Sequence, residues 1–229
     1  MTTQPSTIAI DGPAASGKST VGQLIAQRLG YLYFDTGIMY RAVTFLALQH
    51  ELDLSDEQVV GALAREVLIE IESPTIEDGR QNDVRVGTQD ITWKIREADV
   101  SANVSKVAAQ PAVRAALTRQ QQRIGQRGQV VMVGRDIGTV VMPDAPLKIY
   151  LDASVEERAM RRHKEMTARG KTVDFDHLLA AMRKRDHIDS TRATAPLRAA
   201  EDAHLIVTDH FSIEAVVEQI LVLAQDMLG

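Results

Sequence analysis

Residues Gly12-Pro13-Ala14-Ala15-Ser16-Gly17-Lys18-Ser19 fill every constrained position of the pattern G-x-x-x-x-G-K-[ST]. No other feature limits the fold as much, because the pattern works only as a strand, a tight loop and a helix in that order. The flanks comply: Ser6–Ile10 is a short apolar run, and Val21, Leu24, Ile25 and Leu29 mark a helical stripe closed by Gly30. The glycines let successive N–H groups turn inward toward phosphate oxygens, and the helix adds the positive end of its dipole. Lys18 can reach the β- and γ-phosphates, and the Ser19 hydroxyl can ligate Mg²⁺. A Gly-rich turn with a solvated lysine is the plainer alternative, and the strand and helix on either side speak against it. Gly12–Thr20 is therefore expected to bind a nucleoside triphosphate.

The rest of the chain continues the alternation. Tyr31–Asp35, Val130–Val133, Leu147–Leu151 and Leu205–Val207 read as further apolar strands. Helices are expected at Tyr40–His50, at Asp56–Arg65 with Ser55 as its N-cap, and at Asn103–Gly125 with a break at Pro111. More follow at Ser154–Arg169, Phe175–Arg192 and Ile213–Leu228. Five buried strands separated by helices predict an α/β fold, a parallel sheet covered on both faces. Residues 66–100 break the pattern. Val67–Glu72, Asp83–Val86 and Asp90–Thr92, with a turn at Gly87-Thr88, predict a small antiparallel sheet inserted into the core. The expected organisation is a core of 1–65, 101–157 and 173–229, an inserted β domain at 66–100, and a lid at 158–172.

Composition narrows the partners. The chain has 229 residues and no Cys, which excludes disulfides, thiolate zinc sites and a Cys nucleophile, and fits a reducing, cytoplasmic setting. No run approaches the roughly 20 apolar residues of a membrane span. A net charge of −5 argues against a nucleic-acid partner, yet residues 158–198 hold 11 Lys/Arg against 5 Asp/Glu. A basic block on an acidic chain suits a small polyanion better than a duplex, although such blocks can also simply solvate helix faces.

Two classes use such a loop: enzymes that move the γ-phosphoryl to an acceptor, and switches or ATPases that hydrolyse it. The strand Val130–Val133, the best place for a Walker-B acid, runs instead into Gly134-Arg135-Asp136, and no guanine-reading Asn-Lys-x-Asp element is present. An arginine there suits a second anionic substrate. Phosphoryl transfer needs two anions held in line, charge neutralised and water excluded, so converging arginines and a closing segment are expected. Arg158, Arg161 and Arg162 share one helical face, followed by Lys164, Arg169, Gly170 and Lys171. That segment is a lid or a solvated basic surface. Arg185, Asp189 and Arg192 share another face, either as an ion-paired stripe or as a ribose and phosphate contact.

The ordered motifs resemble the bacterial-type cytidylate kinases among the nucleoside monophosphate kinases. They are Ile10-Asp11-Gly12-Pro13, Gly17-Lys18-Ser19-Thr20, Asp35-Thr36-Gly37 with Tyr40-Arg41, Ser105–Ala109, and Pro111–Arg114. Gly134-Arg135-Asp136-Ile137-Gly138-Thr139-Val140-Val141, Pro143–Ala145, Lys148–Asp152, Glu156–Ala159 and Arg185–Arg192 complete the set over nearly the whole chain. The resemblance implies a P-loop kinase core and transfer of the ATP γ-phosphoryl, with Mg²⁺, to CMP or dCMP by a cytoplasmic monomer. It implies Lys18, Arg135, Arg158 and Arg161 as the groups that stabilise the moving charge, and Ser19 as the metal ligand. Tyr40 counts with the acceptor side next to Arg41 in sequence, and Arg41 and Arg135 match positions that grip the acceptor phosphate. Thr36, Arg114, Asp136 and Arg192 match the cytosine side, and Ser105, Arg185 and Asp189 the sugar side. Thr36 stands where many relatives carry Ser. A carboxylate at Asp136 would accept from the cytosine N4 amine and repel the uracil carbonyl. A kinase for UMP or shikimate is the neighbouring alternative.

Overall fold

The strand β1 (Thr7–Asp11) is buried at every position, as an all-apolar-faced central strand must be. In the computed structural model, which describes residues 4–168, 170 and 172–226, it is the middle strand of a five-stranded parallel sheet. The order is β2 (Leu32–Asp35), β6 (Val130–Val133), β1, β7 (Leu147–Asp152), β8 (His204–Val207). β1 pairs with β7 in the register Ile8↔Leu147 to Asp11↔Tyr150, and β7 with β8 in the register Ile149↔His204 to Asp152↔Val207. The chain divides into two compact units, residues up to Tyr31 with those from Val131 onward, and Leu32–Val130.

In the first unit the loop after β1 leads into α1 (Lys18–Leu29). That helix ends on Gly30 at φ 69°, where the amides of Gly30 and Tyr31 turn back onto Gln27 and Ala26, the stop expected of a C-terminal glycine. α6 (Val155–Ala168), α7 (Phe175–Thr191) and α8 (Ile213–Asp226) complete this unit. Ser154 opens α6: its Oγ accepts from the Glu157 amide and donates to Asp209. Between β6 and β7 lies an element that periodicity did not predict. Ile137–Val141 forms a single π turn in which Val141 N donates to Asp136 O and Met142 N to Ile137 O.

The second unit holds α2 (Gly37–Gln49), α3 (Glu57–Glu66), α4 (Ala98–Ala108) and α5 (Pro111–Gly125). It also holds a three-stranded antiparallel sheet of β3 (Ile69–Glu72), β4 (Asp83–Val86) and β5 (Gln89–Asp90). This sheet lies within 66–100, and its alternation explains it: Ile69, Ile71 and Val84 face the core, while Glu70 and Glu72 face solvent. Arg80 ties its loops together through Asp78, Asp83 and Asp90.

Several boundaries differ from expectation. The third strand ends at Asp90, because Thr92 turns its hydroxyl onto the Val84 amide in place of a ladder bond. Asp56, not Ser55, caps α3: its Oδ1 accepts from Gln58 N at 2.9 Å and Val59 N at 3.1 Å, while Ser55 is occupied with Asp53. The helices expected from Asn103 begin earlier, at Ala98 after a 3-10 turn at Lys94–Arg96, and break at Pro111 as expected. The break falls at Gln110, extended as a residue before proline must be, with Pro111 at the start of α5. Arg169 and Lys171 of the expected lid, and Met227 and Leu228 of the last helix, lie outside the described residues.

Candidate active site

Asp11 and Gly12 carry the chain from β1 into the loop. Gly12 has φ 147°, and a Cβ there would sit 2.0 Å from the Leu151 carbonyl oxygen, so no other residue fits. Ala15 at φ 61° and Gly17 at φ 93° continue the curl that turns amides inward. Lys18 is buried, its ammonium donating to Pro13 O at 2.5 Å and lying 3.4 Å from Ser16 Oγ. The loop thus holds its own lysine across its mouth. Ser19 and Thr20, at the start of α1, are exposed.

The neighbouring strand β6 delivers the second group. Gly134 N donates to Ile10 O at 3.0 Å, fixing where β6 ends beside β1. Arg135 and Asp136 follow, then the π turn. Arg135 Nε donates to Asp189 Oδ2 at 2.5 Å. Arg185 approaches the same carboxylate at 3.9 Å and Arg192 at 3.9 Å, while Arg192 Nη2 lies 3.5 Å from Asp136 Oδ1. Five residues expected at the acceptor therefore form one network. Three guanidiniums share two carboxylates, so the cluster keeps an excess positive charge suited to an anion. This is more than the ion-paired stripe along α7, because the segment that follows β6 supplies two of the five.

The Asp11 carboxylate underlies this cluster. It accepts from Ile137 N at 2.8 Å and Gly138 N at 2.7 Å. Burial raises its pKa to about 6; the two amide bonds and Lys18 pull down, and the Asp136 charge pushes up.

The α6 arginines are placed differently from a row of exposed cations. Arg158 is buried, its Nη1 donating to Ala14 O at 3.1 Å and its Nη1 and Nη2 forming a fork on Asp186 at 3.2 and 2.6 Å. Arg161 pairs with Glu157 and donates to Thr208 Oγ1 at 3.0 Å and Thr208 O at 2.7 Å. Thr208 in turn reaches Asp152 O at 3.1 Å and Ser16 O at 3.4 Å. Arg162 pairs with Glu165 at the surface. Arg158 thus holds the phosphate loop directly at Ala14, and Arg161 connects to it through Thr208.

In the second unit, Thr36 is buried at the start of α2, where Asp35 Oδ1 takes the Gly37 amide at 2.9 Å. The Arg114 guanidinium lies 5.5 Å from the Tyr40 ring centroid, and both residues are buried. Arg41 donates to Ile95 O at 3.2 Å and Ser101 Oγ at 3.0 Å. Ser105 is exposed, one turn along α4 from Ser101.

Asp11, Ser101, Asp186 and Thr208 were not singled out from sequence. Asp11 alone left a signal, a carboxylate closing an apolar strand just ahead of the loop. The others act through partners far along the chain, which spacing does not reveal.

A family model described as Cytidylate kinase matches residues 8–226. The chain is 52% identical over 219 residues to a Cytidylate kinase of Herpetosiphon aurantiacus, covering 96% of this chain and 94% of that one. It is 50% identical over 222 residues to a Cytidylate kinase of a Geobacillus species, covering 97% of each. Among solved structures, an uncharacterized protein from Eubacterium ventriosum matches with a TM-score of 0.52 at 10% identity, over 95% of this chain and 97% of that one, a likeness of fold alone.

Proposed function

The chain belongs to the cytidylate kinase family, and we propose that its ATP-dependent phosphorylation of CMP and dCMP is divided between a donor loop, Gly12–Thr20, and an acceptor cluster built on Arg135 and Asp136. The observation that carries this division is the Arg135–Asp189–Arg192–Asp136 network, rooted on the strand beside the loop. Phosphate oxygens of ATP lie on the inward amides of the loop, with Lys18 moving from Pro13 O to the β- and γ-phosphates. Ser19 would hold Mg²⁺, which would supply neutralisation of phosphate charge. The Ser19 hydroxyl, exposed at the start of α1, fits such an ion as one oxygen ligand.

Arg135 leaves Asp189 for the CMP phosphate, joined by Arg41. Asp136 and Arg192 read the cytosine edge with Thr36 and Arg114, Tyr40 supporting the Arg114 guanidinium. Asp189, Arg185 and Ser105 take the sugar. Arg158 and Arg161 contribute positive charge behind the loop, a role supported by the Arg158 bond to Ala14 O at 3.1 Å. The CMP phosphate is already anionic, so attack needs no general base. Residues 66–100 and 158–172 serve as the closing segments, and the cysteine-free composition suits a cytoplasmic enzyme.

A panel of nucleoside monophosphates at one ATP-Mg²⁺ concentration tests the assignment. ADP release should saturate with CMP and dCMP and respond weakly to UMP. Slow hydrolysis indifferent to every monophosphate would identify a nucleotide switch and defeat the proposal.

A further inference from the structure

We infer that Asp11 is a positioning residue for the acceptor: its carboxylate pins the π turn Ile137–Val141 and so sets where Arg135 and Asp136 stand relative to the phosphate loop. The inference rests on the functional reading above and deepens it.

A turn of helix begins with backbone N–H groups that have no partner within it. Here the residue at the start of the turn, Asp136, gives no side-chain cap, its carboxylate being engaged toward Arg192. Asp11 supplies the missing acceptors from another strand, one oxygen to Ile137 N at 2.8 Å and the other to Gly138 N at 2.7 Å. Two short bonds to consecutive amides fix both the position and the rotation of the turn. Arg135 and Asp136 immediately precede it, so their direction is set by the same two bonds. On its other side Asp11 is followed at once by Gly12, which packs so close to Leu151 that an added Cβ would lie 2.0 Å from its carbonyl oxygen.

The pin is also costly to house. Asp11 is 4% exposed, and desolvation works against its charged form. Besides the two amides, the charged groups around it are Asp136 and Lys18, with the Tyr150 phenol next along. Lys148, which packs its stem under Gly138, sends its ammonium away to Asp202 at 2.6 Å. Lys18 pulls the Asp11 pKa down less than either amide bond does. The two amides are its short partners.

Steady-state kinetics of Asp11→Asn, varying CMP and ATP in turn, tests this. Asn keeps one acceptor and sets an NH₂ against the other amide. The expected result is a KM for CMP raised about 10-fold or more with the KM for ATP within about 2-fold, the cost of a buried N–H left without an acceptor. Unchanged constants, or both rising together, would overturn the inference, since general loosening does not choose between substrates. If Asp11→Asn lacks a cooperative melt, Gly138→Ala replaces it. That methyl would lie 3.2 Å from Lys148 Cδ and 3.5 Å from Asp11 Oδ2 while leaving both N–H donors. A CMP-selective rise of about 3-fold is expected, and an unchanged KM for CMP overturns the inference. Wild-type protein without CMP-dependent ADP release would defeat the kinase assignment, a result separate from either variant's outcome.

Discussion

Arg192 Nη2 stands 3.5 Å from Asp136 Oδ1, and in the proposed site this carboxylate and guanidinium together meet the base edge. Cytosine sets its N4 amine donor beside its N3 acceptor, whereas uracil carries the reverse, a carbonyl beside an N–H. Asp136→Asn should therefore lower the ratio of CMP to UMP efficiency by about 10-fold or more, read from kcat/KM for the two acceptors. An unchanged ratio would move base recognition elsewhere. The arginines show what sequence could and could not convey at this scale. Arg135 was legible because it interrupts a strand end where a Walker-B acid would stand. Arg158 was legible only as a cation on a helix. Its hold on Ala14 O and Asp186 depends on how α6, α7 and the loop meet, and helical spacing carries no record of that.

Among the elements, apolar runs located every strand of the large sheet, and only the ends moved. Ends are decided by single hydrogen bonds, as α3 illustrates. Ser55 and Asp56 are both good cap residues, and which one serves depends on Asp53, which captures the Ser55 hydroxyl. Asp56→Ala should destabilise the protein by about 1 kcal/mol and Ser55→Ala by much less, measured by chemical denaturation. Equal costs would show that the cap is shared. The π turn was beyond reach for a different reason. Its Ile-Gly-Thr-Val-Val sequence carries no helical signal, and the turn forms because Asp11 satisfies amides that the turn itself cannot.

For the molecule as a whole, Asp11 gives a stability that depends on pH with an unusual sign. Its carboxyl titrates near 6 in the folded chain and near 4 when unfolded. Between those values the folded state holds a proton the unfolded state has released, so this contribution to stability falls as pH rises through the window. Carboxylates lowered by their partners, Glu156 by Arg183, Asp202 by Lys148 and Asp209 by Ser154, act in the opposite sense. The difference between wild type and Asp11→Asn separates the two. Wild type should gain about 2 kcal/mol on the variant between pH 7 and about pH 4.5 in urea unfolding. A constant difference would refute the assignment.

The strand order carries a last consequence, for the order of events in time. β1 ends at Asp11, yet the strands that flank it, β6 and β7, begin at Val130 and Leu147. A chain made from its N-terminus must complete all of the second unit before β1 can acquire either neighbour. The nucleotide-binding loop thus leaves the ribosome ahead of the whole second unit and is held in shape only after it.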